Sequence, residues 1–155
     1  MKLVFEEINL NKHRDKVIEF RRDSFKTSFG DASAFEEDDY LSWLNEKIKQ
    51  FPKGFVLAKE DDLYIGQLEL TIREYEGYDI GYVHLYYLMP EMRGVGKGTA
   101  LHNYAKDFFG KYDVSEYHLR VSPSNMAARQ FYHKIGMEEV GSEFDGKVIR
   151  MKGYL

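Results

Sequence analysis

The sequence predicts a single α/β domain with a mixed, mostly antiparallel sheet of about seven strands flanked by helices. Three observations predict it. Segments with period-two alternation stand beside segments with helical spacing. Three strand-like segments near the middle are separated only by short turns, as in an antiparallel meander. A strand, a helix and a strand then follow in order; if the strands are parallel, that unit takes a right-handed crossover. With 155 residues the chain holds one core and is too short for two. The domain is therefore expected to occupy residues 1–155.

Residues 2–8 read as the first strand. Residues 11–28 read as a helix, with Ile18, Phe25 and Phe29 near one face and Val17 and Phe20 widening it. Gly30 is the stop signal. Residues 38–50 form a second helix carrying Leu41, Trp43, Leu44 and Ile48, which Phe51-Pro52-Lys53-Gly54 breaks. Residues 55–59, 64–73 and 79–88 are the meander strands, joined at Glu60-Asp61-Asp62 and Glu76-Gly77. A glycine-rich turn after Met89-Pro90 leads into a helix to about Phe109, where Leu101, Tyr104, Ala105 and Phe108 keep helical spacing. Residues 116–122 are a strand. Residues 124–135 are a helix with Ala128, Phe131, Tyr132 and Ile135 on one face, closed by Gly136. Two strands, residues 137–144 and 147–154, meet at Asp145-Gly146, a hairpin signal. The order is βααβββαβαββ.

Composition narrows the function. The absence of cysteine removes disulfides, thiolate metal sites and a Cys nucleophile. It suits a reducing compartment, and a cytoplasmic protein is expected. The first ten residues carry no long apolar stretch of the secretory kind, and no apolar run reaches membrane-spanning length. The net charge of −4, with both signs mixed along the chain, argues against nucleic acid as a partner. A mildly acidic protein is compatible with a cationic substrate. His13, His102, His118 and His133 show no metal-ligand spacing, so no metal is expected.

Arg93-Gly94-Val95-Gly96-Lys97-Gly98 lies between a strand and a helix. Glycines at alternate positions let a ligand approach the backbone closely. The amides of Gly94, Gly96, Gly98 and Thr99 stand at a helix start, where unpaired N–H groups and the helix dipole favour an anion. Arg93 and Lys97 add positive charge, and a pyrophosphate is the natural guest. A tight turn without a ligand is the plainer alternative. The spacing excludes a Walker A loop, because no Gly-Lys is followed by Ser or Thr, and it excludes the dinucleotide fingerprint, because the glycines run G-x-G-x-G.

The stretch from Tyr86 to Gly98 resembles motif A of the GNAT N-acetyltransferases, whose core is Q/R-x-x-G-x-G/A; Arg93, Gly96 and Gly98 match it in order. Further on, Asn125, Ala128, Phe131-Tyr132 and Gly136-Met137 resemble the family's motif B region, N-x-x-A-x-x-F-Y-x-x-x-G-F, with Met137 in place of the commoner Phe. The resemblance extends over the whole chain in element order. It implies a single GNAT acyl-CoA N-acyltransferase domain that takes acetyl-CoA as cosubstrate. The expected partner is a small-molecule amine, and the expected state a monomer or homodimer.

By that resemblance, residues 93–98 and Thr99 wrap the pyrophosphate, and backbone near Leu88 pairs with the pantetheine arm as an added strand would. Asn125 matches the cofactor-contacting Asn; it is also a natural helix N-cap, and if Ser124 does the capping both readings hold. Tyr132 matches the tyrosine that protonates the departing thiolate; by spacing alone it is a core aromatic. Attack needs a neutral amine, and many relatives place a Glu on the fourth strand to take its proton. Tyr82 stands there in this sequence. His84, two residues on along the same strand face, and Glu69, on the neighbouring strand, are equal candidates for that role. A water chain without a dedicated base is the alternative. The acidic run Glu36-Glu37-Asp38-Asp39 either lines the acceptor site or stabilises a helix start. The rivals to a small-molecule enzyme are a protein acetyltransferase and a non-catalytic acyl-CoA-binding domain.

Overall fold

The computed structural model describes residues 3–155. Its elements are β1 (Val4–Glu7), α1 (Leu10–Phe29), α2 (Glu37–Gln50), β2 (Phe55–Glu60), β3 (Leu63–Tyr75), β4 (Tyr78–Leu88), α3 (Lys97–Phe109), β5 (Glu116–Val121), α4 (Met126–Lys134), β6 (Glu138–Glu143) and β7 (Val148–Tyr154). Short 3₁₀ turns, Pro52–Gly54 and Pro90–Met92, precede β2 and follow β4. The expected order is all present. Lys2, part of the expected first strand, lies outside the described residues.

Among the described residues seven strands run β1-β2-β3-β4-β5-β7-β6, and only β4 and β5 are parallel. Each face carries its own core. Phe55 and Leu57 of β2 and Leu85 and Tyr87 of β4 meet Val17 and Phe20 of α1 and Leu44 of α2. The alternate residues, Val56 and Ala58 of β2 and Val83 of β4, meet Leu101, Ala105 and Phe108 of α3 and Tyr132 of α4. Period-two alternation thus feeds two helical layers from one sheet. The α1/α2 core takes no side chain from β5, β6 or β7, so that half of the face is left to arginines and tyrosines.

Local chemistry sets the boundaries. The Asn9 side chain accepts from the amides of Asn11 (2.9 Å) and Lys12 (3.3 Å), so α1 begins one residue before the expected Asn11. Gly30 closes α1 at φ +88°. The acidic run supplies Glu37, Asp38 and Asp39 to the first turn of α2, and Glu37 also pairs with Arg22 of α1. At the last hairpin the pairing ends at Glu143 and Val148, so the connection spans four residues rather than the two of a tight turn. Phe144, Asp145 and Gly146 all sit at positive φ there. No helix among the described residues is long and apolar enough to cross a membrane.

One irregularity shapes the site. Glu69 pairs with Leu85 and Leu70 with Val83, so His84 is an extra residue in β4. This bulge shifts the alternation. Tyr82 and His84 share a face, with ring centroids 4.8 Å apart, and Leu85 then joins the same side.

Candidate active site

The parallel pairing of β4 with β5 covers only Gly81–Val83 against Tyr117–Leu119. Past it β4 continues to Leu88 and β5 to Val121 without pairing with each other, and a cleft of about 520 Å³ opens between them. Tyr86 and Leu88 line one wall, Arg120 and Ser122 the other, and Tyr132 and Asn125 the α4 side. Ser24 and Thr27 of α1 border it as well.

The glycine turn lies along the same cleft. Gly94 (φ +77°) and Gly96 (φ +84°) adopt left-handed backbone, and a Cβ on either would meet no atom within 4 Å. Neither glycine is therefore demanded by internal packing; both keep the outer surface of the turn bare. Gly98 differs, because its Cβ would meet the Phe131 ring at 3.0 Å, so it serves the α3–α4 contact. Gly96 is the N-cap of α3 and no side chain among the described residues caps that helix, which leaves first-turn amides for an anion. Thr99 lines the cleft and Val95 is exposed.

The two cations of the turn are engaged. Lys97 Nζ donates to Glu60 Oε2 at 2.7 Å. Arg93 Nε donates to the Leu88 carbonyl at 2.8 Å, and its guanidinium lies 3.7 Å from Asp23 and over the Tyr87 ring. The bare backbone, more than free charge, is what the turn offers an anion. The Asn125 side chain accepts from the Ala128 amide at 3.2 Å and so caps α4. Ser124, the alternative cap, instead exchanges a 3.0 Å hydrogen bond with Ser122, so the capping falls to Asn125.

Tyr132 is 9% exposed, and its ring lies 6.1 Å from that of Tyr86. Its hydroxyl makes no hydrogen bond to any described residue, and burial pushes the phenol well above its ordinary pKa. It therefore keeps its proton at neutral pH.

The two proton-acceptor candidates separate. His84 lines the cleft, and its Nε2 lies 2.9 Å from Thr71 Oγ1. Burial first, and then the charges of Arg21, Arg73, Lys47 and Arg120, bring its pKa down to about 3. Glu69 is fully buried and borders no part of the cleft. Tyr40 and Gln67 donate to its Oε2 at 2.5 and 2.9 Å, and Arg21 Nη1 stands 3.2 Å from its Oε1. Arg21 Nη1 also donates to the His84 carbonyl at 3.3 Å. Glu69 thus holds the guanidinium that holds the bulge. Sequence reading missed Arg21 and Arg120. The available signals were a charged residue inside the apolar stripe of α1 and, on β5, Glu116, His118 and Arg120 alternating with Tyr117, Leu119 and Val121.

His84 has a measurable consequence. Its folded pKa, about 3, lies below the ordinary value of roughly 6.5. Between those values the unfolded chain binds the extra proton. The stability from burying neutral His84 is complete above pH 6.5 and is lost as pH falls toward 3, by at most about 1.4 kcal/mol per pH unit. Melting curves from pH 8 to 5 should show a shallower decline for His84→Gln than for the wild type. His102 and His118, also lowered by burial, are common to both proteins. Parallel curves would show that His84 titrates normally.

A sheet parted between two parallel strands, with open helix amides beside the gap, defines an acyl-CoA N-acyltransferase architecture. The Acetyltransferase (GNAT) family matches residues 14–137, and the chain belongs to it. It is 29% identical over 103 residues to an uncharacterized N-acetyltransferase of Methanocaldococcus jannaschii, covering 64% of this chain and 44% of that protein. The match thus spans less than half the length of that relative. A PaiA N-acetyltransferase of Thermoplasma acidophilum, solved with coenzyme A, superposes with a TM-score of 0.73 at 23% identity over 100% of both chains. An Arabidopsis thaliana protein solved with the bisubstrate analogue CoA-Ac-MVNAL superposes at 0.75 with 17% identity, again over 100% of both. At these identities the likeness to both structures is one of fold. Among the described residues no group of three or more His, Asp or Glu is placed to hold a metal ion.

Proposed function

We infer that this chain transfers the acetyl group of acetyl-CoA to the primary amine of a small molecule by direct attack. The observation that carries this reading is the Tyr132 phenol, protonated and without a partner among the described residues, facing a cleft that runs to the bare turn at Gly94 and Gly96. The residues present fit the cosubstrate. Positive-φ glycines with open space and an uncapped helix start suit a pyrophosphate, with residues 93–98 and Thr99 forming its cradle. The edge of β4 that β5 leaves without a partner strand, ending at Leu88, offers backbone groups to the amides of pantetheine. Asn125 borders the same space. Acetyl-CoA supplies an activated thioester when bound.

In this reading the chain's own residues manage the protons. Tyr132 holds one for the leaving sulfur. The burial and the cations that keep His84 neutral also disfavour an ammonium in the same place, so an entering amine is pressed toward its neutral, nucleophilic form. His84 serves as a neutral hydrogen-bond partner, and the amine's proton leaves through water. Glu69 acts through Arg21 as a positioning residue for the bulge. The cleft volume supports a small acceptor, because about 520 Å³ must take both the pantetheine arm and the acceptor.

The test has two parts. Coenzyme A at millimolar concentration should raise the melting temperature, since a ligand selective for the native state must do so. Acetyl-CoA with a panel of small amines and peptide N-termini should release free thiol on the small amines. No thermal shift overturns the cofactor assignment. Turnover of peptides alone overturns the small acceptor, and binding without turnover on any amine overturns the enzyme.

A further inference from the structure

Below the cleft, on the sheet half that α1 and α2 leave uncovered, three guanidinium groups converge on one ring. Arg73 of β3 lies 4.6 Å from the Tyr82 centroid, Arg120 of β5 at 5.8 Å and Arg150 of β7 at 5.9 Å. Glu143 is shared by two of them, accepting from Arg120 Nε at 2.8 Å and Arg150 Nε at 2.9 Å. Arg150 Nη1 also donates to His118 Nδ1 at 2.8 Å. That bond leaves the His118 proton on Nε2, which donates to Glu116 Oε2 at 2.6 Å. Arg150 and His118 are buried, so this floor is fixed.

Arg73 is exposed and pairs with no carboxylate among the described residues. Glu74 and Asp79 form a cross-strand pair beside it; as an immediate chain neighbour, Glu74 points to the opposite sheet face. The cluster therefore keeps one guanidinium uncompensated, in a chain whose overall charge is −4. It also joins the cleft. The Tyr82 ring touches the His84 ring, and both His84 and Arg120 line the opening. Two residues along a strand separate Tyr82 from His84, about 7 Å.

We propose that Arg73 and Arg120, which flank the buried Tyr82 ring, form an oxyanion subsite for the acceptor. The acceptor then carries a carboxylate or phosphate roughly 7 Å from its reacting amine. This rests on the acetyltransferase reading and names the substrate class. Guanidinium groups present planar donor forks that match either anion. Such a subsite orients the acceptor without placing a carboxylate near the amine, where it would stabilise the ammonium.

Matched acceptors test it. 5-Aminopentanoate, whose extended chain holds amine and carboxylate oxygens roughly 7 Å apart, is compared with butylamine for the carboxylate, and 3-aminopropyl phosphate with 3-aminopropanol for the phosphate. In the wild type the anionic member of at least one pair should have the higher kcat/KM, by roughly 10–100-fold, as charge-assisted hydrogen bonds give. Arg73→Ala should collapse that ratio chiefly through KM, Arg73→Lys should restore part of it, and salt should erode it. The pair that responds identifies the anion. Equal turnover within both pairs, or an Arg73→Ala effect equal on both members, overturns the proposal. Should no amine turn over, calorimetric titration of 3-aminopropyl phosphate and 5-aminopentanoate into the coenzyme A complex still decides. Binding that Arg73→Ala removes supports the subsite, and no binding of either anion overturns it, independently of the acetyltransferase reading.

Discussion

Tyr132→Phe should lower kcat by about 10²-fold while leaving coenzyme A affinity nearly unchanged. The substitution removes a hydroxyl that has no partner among the described residues and keeps the ring that packs in the α3/α4 core, so the fold should persist. The hydroxyl acts on sulfur as charge develops there. An interaction made mainly in the transition state lowers the barrier without tightening the ground state. The lower end of the general-acid range is expected for a physical reason. A thiol's ordinary pKa is near 8.5 and a phenol's near 10, and burial raises this phenol further. Full transfer to a solvated thiolate would therefore run uphill. Within the cleft the departing thiolate is also desolvated, which raises its own basicity and narrows the gap. Tyr132 then contributes as a hydrogen-bond donor throughout and as an acid late in the step. Measuring kcat and coenzyme A affinity on one preparation decides the matter. An intact kcat would make Tyr132 a packing residue.

The order of elements was legible because each obeys a short-range rule. Apolar alternation in β5 and helical spacing in α3 survive folding unchanged. The glycine turn was legible for the same reason, since positive φ at Gly94 and Gly96 is what glycine supplies. What escaped depends on contacts distant in sequence. No Gly or Pro marks the bulge at His84; it is visible only in the register against β3. His84 and Glu69 looked equivalent from their strands. Tyr40 from α2 and Arg21 from α1 close over Glu69, while His84 stays at the cleft, and nothing local to either residue foretells that. Arg93 and Lys97 read as free charge because Asp23 and Glu60, their partners, come from α1 and β2. The convergence of Arg73, Arg120 and Arg150 on Tyr82 joins four strands, and sequence adjacency carries no trace of it.

Gly96→Ala should weaken coenzyme A binding by roughly 10–100-fold, the worth of one or more charge-assisted hydrogen bonds to phosphate. The free protein has room for the new methyl, since nothing lies within 4 Å of that position. Its intrinsic cost is backbone strain alone. A non-glycine residue at left-handed φ loses about 1–2 kcal/mol, and Val would lose more because its Cβ is branched. Stability and affinity must therefore be separated, and Gly77 allows it. Gly77 has φ +88°, is also open around its Cβ, and sits in the β3–β4 turn away from the cleft. Gly77→Ala carries the same strain with no ligand nearby. Both variants should melt lower by similar amounts, while only Gly96→Ala should lose affinity, because only there does the methyl stand between phosphate oxygens and the amides that open α3. Equal affinities in the two variants would mean that the turn is built for the chain's own path and that the pyrophosphate lies elsewhere.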